Sequence, residues 1–151
     1  QVAFMFNYAG QPWKTQQAVR HIMATEYLNA PGGLSGNDDA GQMSAWYIFA
    51  SLGFYPVCPG SPYYVLASPS FSKATLHLEN GKTFTLQAEN TSKENIYIQQ
   101  VTLNGKPYTR NYITHKDITE GGEMVFVMGN MPNKTWGGAP EDCPPSLIEK
   151  F

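Results

Sequence analysis

Two adjacent carboxylates, Asp38 and Asp39, follow Asn37 in the stretch GLSGNDDAGQMSAWYIFASLGFYPV (residues 33–57), between Gly36 and Gly41 and just ahead of a strongly apolar segment. Two roles suit such a pair. Asp39, with Gln42 three residues on, has the spacing of a helix N-cap close to a capping box, a role worth about 1 kcal/mol. A carboxylate at the same place can also act as a general base, if it is ionised and holds a water within hydrogen-bond reach. The roles are compatible, because the partial positive charge at a helix N-terminus favours the ionised form. Two carboxylates exceed what capping requires, and the flanking glycines let the backbone bend tightly and come close to a ligand. With Asp39 as base, Asp38 is left for a ligand hydroxyl or a backbone amide.

The elements that must position this pair change period along the chain. QVAFMFNYA is apolar nearly all round, as in a helix buried in a larger core, and GQP breaks it. Thr15 is placed to cap a helix through QQAVRHIMATEYLN, whose Ala18, Val19, Ile22, Met23, Tyr27 and Leu28 form an apolar stripe. NAPGGLSG is loop by composition. GQMSAWYIFASLGF then reads as a third helix, closed by Gly53 and Pro56.

After Pro62 the period falls to two. YYVLAS reads as a strand, and ATLHLE and KTFTLQAE flank Asn80-Gly81 as a type I′ hairpin. IYIQQVTL and KPYTRN repeat the design around Asn104-Gly105, EMVFVMG is a further strand, and an irregular tail begins at Met131. Helices followed by strands predict an α+β fold with antiparallel strands, divided into residues 1–60 and 61–151. Three helices cannot cover their own apolar faces, so a further part of the same protein is expected to pack on them. The start at Gln1, without Met, reads as a fragment of a longer protein.

A chain of 151 residues can bury a sizeable core. A formal net charge of −2 gives no bulk attraction for nucleic acid or an anionic membrane, and residues 43–57 are too short and interrupted for a membrane span. Aromatics at 13% and charged residues at 15% suit carbohydrate binding, and equally a large buried contact to another domain. Cys58 and Cys143 fit no metal spacing, and whether they pair is open. Trp13, at a helix entrance, can stack on a sugar or serve as core; Trp46 and Tyr47 read as core, and Trp136 as a pin for the tail. His21, His77 and His115 have no nucleophile or ligand partner nearby in sequence. No nucleophile elbow or phosphate-binding loop occurs. Asn90-Thr91-Ser92 and Asn133-Lys134-Thr135 are glycosylation sequons.

NYAGQPWKTQ (7–16), GNDDAGQMSAWYIF (36–49), LGFYPVCPGSPYYVLASP (52–69) and NMPNKTWG (130–137) occur in this order. Together they resemble glycoside hydrolase family 92, the calcium-dependent exo-acting α-mannosidases found widely in gut Bacteroidetes. The resemblance implies that the helices close an (α/α)6 barrel and that the strands are the sandwich-type β-structure following it. It implies inverting hydrolysis of terminal, α-1,2-linked mannose. Asp39 matches the general base, with Asn37 and Asp38 as its neighbours and Gly36 and Trp13 beside the sugar. Asn37 stands where some relatives carry a second acid; it can bond the water or Asp39 but cannot share the base role. The acid, a Glu, and most calcium ligands fall upstream of Gln1, and Glu26 and Glu79 read as solvated surface charges. The chain alone is therefore expected to be inactive, with a mannose-containing glycan and the upstream part of the protein as partners and the periplasm or cell surface as its place. The rival reading is a non-catalytic β-sandwich module that binds carbohydrate or docks another domain.

Overall fold

The computed structural model describes residues 1–145. The first apolar segment forms a 3₁₀ helix over Val2–Asn7 rather than a fully buried helix. Its i→i+3 bonds run on through Gly10, which adopts φ +67°, and Pro12 follows. Phe4 and Asn7 are buried, while Val2 and Met5 remain exposed. Helix α1 spans Pro12–Thr25 and begins earlier than the spacing predicts. Pro12 supplies the start, since its fixed φ suits the first helical turn. Thr15 therefore lies inside the helix, buried, and does not cap it. The helix ends before Tyr27, which leaves the helical path to form an isolated bridge with Leu34. Helix α2 spans Gln42–Leu52 and ends at Gly53, as expected.

The strands are β1 (Phe54–Tyr55), β2 (Tyr63–Leu66), β3 (Lys73–His77), β4 (Thr83–Glu89), β5 (Tyr97–Leu103), β6 (Lys106–Pro107), β7 (Tyr112–Thr114) and β8 (Gly122–Gly129). They form a three-stranded sheet ordered β1-β2-β7 and a five-stranded sheet ordered β3-β4-β8-β5-β6. The five-stranded sheet is mixed, because β8 inserts between β4 and β5 and runs parallel to β4. Alternation within each strand could not show this, since pairing partners are chosen by the fold. A short helix α3, His115–Thr119, follows β7; Thr114 and Asp117 close a capping box around it. The Asn104-Gly105 turn has both residues at positive φ, as a type I′ hairpin requires. At Asn80-Gly81 only the glycine does, and the Gly81 amide bonds back to the Leu78 carbonyl at 2.9 Å, giving a longer loop.

Two apolar cores sandwich the small sheet. Phe54 and Leu66 point to a core shared with Phe84, Ile98, Met124 and Phe126 of the large sheet. Tyr55 and Val65, their neighbours in the pleat, point to Phe4, Val19, Met23, Trp46 and Ala50 on the helical side. Trp136 is buried in the first core and donates from Nε1 to the Tyr108 carbonyl at 3.1 Å, pinning the tail as expected. Cys58 and Cys143 are free thiols, each partly exposed.

Polar groups lock the layers together. Asn7 donates from Nδ2 to the carbonyls of Leu66 (2.9 Å) and Asn111 (2.8 Å). Asn111 donates back to the carbonyls of Asn7 (3.0 Å) and Gly137 (2.7 Å). Both asparagines are fully buried. Gln16, also buried, reaches from α1 to accept the Ile98 amide of β5 at 2.9 Å, beside a register shift in that strand. Replacing Asn111 by Ala leaves the buried Gly137 carbonyl without this donor and leaves the Asn7 carbonyl only the Gly10 amide. Urea unfolding of Asn111→Ala is expected to show a loss of about 2–4 kcal/mol, and a loss below about 0.5 kcal/mol would contradict this account.

Candidate functional site

The backbone before α2 is unusual. Asp39, Ala40 and Gly41 follow one another at φ +43°, +64° and +88°. Left-handed φ costs a non-glycine residue about 1–2 kcal/mol, so two such residues in a row are held there by their surroundings. Gly41, which carries no such cost, is the residue that enters the helix.

Asp38 supplies the restraint. Its carboxylate accepts the Ser44 amide at 2.9 Å and the Ser44 hydroxyl at 2.8 Å, and its carbonyl accepts the Gln42 amide at 2.7 Å. The first turn of α2 is thus satisfied by Asp38, and Asp39 does not cap it, contrary to its spacing. Asp39 is exposed and its side chain is released from that duty. Asn37 and Gly36 are exposed beside it. Gly36 lies outside the left-handed region, and a Cβ there would make only an ordinary contact with Met43. Ser44, the anchor of the turn, carries no sequence signal, because the link spans six residues and depends on the left-handed bend.

Ser44 binding holds the Asp38 carboxyl below its usual value, the backbone amide contributing most and the hydroxyl next. Tyr27 is pushed the other way, first by burial and then by the nearby Asp38 charge. Its hydroxyl donates to the Met43 carbonyl at 3.1 Å, and its ring stacks on Trp46 at 5.7 Å. Tyr27 therefore ties the acidic turn to the aromatic core. Cavities lie on both sides of it. One, about 310 Å³, is lined by Ser35, Gln42, Met43 and Trp46. The other, about 430 Å³, is lined by Leu28, Asn29, Gly33, Leu34 and Tyr47. Tyr47, expected in the core, is 39% exposed there.

Trp13 lines a different cavity of about 790 Å³, with Phe6, Lys14, Arg20, His21 and Lys93. The ammonium groups of Lys14 and Lys134 lie 5.3 and 5.5 Å from its ring. The fold thus groups Gly36, Asn37, Asp38 and Asp39 at one turn and sets Trp13 among cations in another recess.

Residues 1–130 match the model of the glycosyl hydrolase family 92 catalytic domain. The chain belongs to this family. It is similar, at 44% identity over 97% of its length and a TM-score of 0.93, to a family GH92 α-mannosidase from Bacteroides thetaiotaomicron. That enzyme is also known in complex with mannoimidazole. A GH92 inverting mannosidase from the same organism superposes over 96% of the chain with a TM-score of 0.91 and 45% identity. An uncharacterized secreted glycosidase from Arthroderma benhamiae is 36% identical over 95% of the chain. The chain spans 19% of that glycosidase and 20% of each of the two mannosidases.

Calcium, which family membership implies, does not find a complete ligand set here. Among the described residues no group of three or more His, Cys, Asp or Glu side chains could hold a metal ion, and both Asp38 oxygens are taken by Ser44. Followed by NMR, the Asp38 carboxyl is expected to titrate below its ordinary 3.8, with the Ser44 amide shift moving in step. Because the folded-state value is depressed, the stability contributed by this contact is complete above the ordinary value and is lost as pH falls through the lower one. A midpoint at or above 3.8 would exclude the contact in solution.

Proposed function

We propose that this chain is the C-terminal portion of an inverting, exo-acting α-mannosidase that removes terminal α-1,2-linked mannose from glycans, and that Asp39 is its general base. Family membership and the two mannosidase neighbours support the reading. The observation that carries it is the division of labour between the carboxylates. Asp38 is spent on α2, while a strained left-handed turn keeps Asp39 exposed and unused by the fold. Strain of this kind, held by surrounding contacts, is characteristic of functional sites. The match to a catalytic-domain model also weighs against the rival reading of a non-catalytic carbohydrate-binding module.

In the proposed reaction Asp39 takes a proton from water while the water oxygen attacks the anomeric carbon. The bond from that carbon to the leaving oxygen breaks on the opposite face, and a carboxylic acid protonates the leaving oxygen. Inverting enzymes keep the two carboxyls roughly 6.5–9.5 Å apart to admit the water. The acid is a Glu carried upstream of this chain. Asn37 bonds the water or Asp39 without competing as a base. Helices α1 and α2 are two of the closing helices of an (α/α)6 barrel, completed by the rest of the polypeptide. Calcium, supplied with upstream ligands, assists ring binding and distortion when bound. The secreted relative supports export, with the periplasm or cell surface as destination.

In the full-length enzyme, Asp39→Asn is expected to lower kcat by about 10²–10⁴-fold with unchanged thermal stability, and the wild type to release β-mannose first when followed by NMR. Wild-type turnover by Asp39→Asn would remove Asp39 from the mechanism. The 151-residue chain alone is expected to release no mannose from an α-1,2-mannobiose; turnover by it would show that the acid lies within this chain.

A further inference from the structure

We infer that Ser44 is a positioning residue for the proposed base: through Asp38 it holds the turn before α2 in the arrangement that presents Asp39 to water. The inference rests on the mannosidase reading above and names the residue of this chain that sets the geometry of its base.

The direction of the Asp39 side chain is set by backbone that would not take this shape unaided. Asp39 and Ala40 stand at φ +43° and +64°, values that L side chains rarely adopt, and Gly41 follows at +88°. Relaxation of either residue to ordinary φ would swing the carboxylate, and a displacement of about 1 Å can cost a reacting group roughly 10²-fold in rate. A residue that fixes the turn therefore acts on the base without touching substrate.

Two of the donors that fix it belong to Ser44. The Gln42 amide donates to the Asp38 carbonyl at 2.7 Å. The Ser44 amide and hydroxyl donate to the two carboxylate oxygens of Asp38, at 2.9 and 2.8 Å. Among the described residues Asp38 has no ion-pair partner, so neutral donors hold its charge. The depressed Asp38 carboxyl agrees, with the Ser44 amide as first cause and the Ser44 hydroxyl as second.

Ser44 is itself held in place. Its neighbour Met43 accepts from the Tyr27 hydroxyl at 3.1 Å, and Tyr27 stacks on buried Trp46 with 5° between the ring planes. Ser44 is exposed, so its hydroxyl fills no space in the core and its loss opens no cavity. Alanine is the better helix former, so Ser44→Ala does not weaken α2 by propensity. What alanine removes is one of the two clamps on the Asp38 carboxylate.

The test is a double-mutant cycle on the full-length enzyme, with α-1,2-mannobiose as substrate. In the wild-type background Ser44→Ala is expected to lower kcat about tenfold, less than a full displacement because the amide contact remains, with KM changed by less than about twofold. In the Asp39→Asn background the same substitution is expected to lower kcat by less than about twofold, because a residue acting only through Asp39 has nothing left to position. Ser44→Thr, which keeps the hydroxyl, is expected to retain at least about a third of kcat. An equal fall in both backgrounds, a change confined to KM, or no fall in either overturns the inference. Should Ser44→Ala not fold, Ser44→Cys, a weak donor of similar size, is judged by the same cycle. Wild-type turnover by Asp39→Asn is a different result, which removes the base itself.

Discussion

Asn7 and Asn111, 104 residues apart, donate to each other's backbone carbonyls in the centre of the molecule. Each also donates to a second carbonyl, Leu66 in β2 or Gly137 in the tail, and the Leu66 amide closes the circuit by donating to Asn111. Four distant segments thus meet at one buried polar point. Irregular backbone so deep in a core must find partners for its polar groups, and side-chain amides are suited to this because one nitrogen serves two acceptors. This knot joins the N-terminal 3₁₀ helix, the small sheet and the tail at one point, and the Trp136–Tyr108 bond adds a second polar tie for the tail.

The helical face is tied to the sheets through rings as well. Tyr47 meets Tyr27, Tyr27 stacks on Trp46, Trp46 meets Phe4 edge-on, and Phe4 stacks on Tyr55 of β1. Phe49 and Phe54 carry the chain of contacts on to Tyr64. Aromatic pairs of this geometry add modestly to their buried area and restrict rotation. The effect on the site is positional. Tyr27, held by this chain, presents its hydroxyl to the first turn of α2, so the acidic turn is referenced to the core rather than to a free loop.

At that turn two neighbouring aspartates have opposite assignments. The bend at Asp39, Ala40 and Gly41 directs Asp38 back onto Ser44 and leaves Asp39 in solvent. The same backbone strain that would be a defect elsewhere separates a structural carboxylate from an available one. The helix start, which spacing assigned to Asp39, falls instead to Asp38 and leaves Asp39 free of that duty.

Much of this could be read along the chain. Period and punctuation located α1, α2 and the main strands. The Asn104-Gly105 hairpin followed from the need for positive φ at both residues, and the acidic cluster stood out by residue type and flanking glycines. These are local properties, set by dihedral preference and side-chain repeat within a few residues. What the chain could not disclose depends on distant partners. Thr15 reads as a cap until Pro12 starts the helix earlier. Asn80-Gly81 reads as a tight turn until Leu78 and Lys82 pair behind it. The parallel seat of β8, the choice of Asp38 over Asp39 for α2, and the exposure of Tyr47 were decided by tertiary structure, because each is the outcome of competition among surfaces that only folding brings into contact.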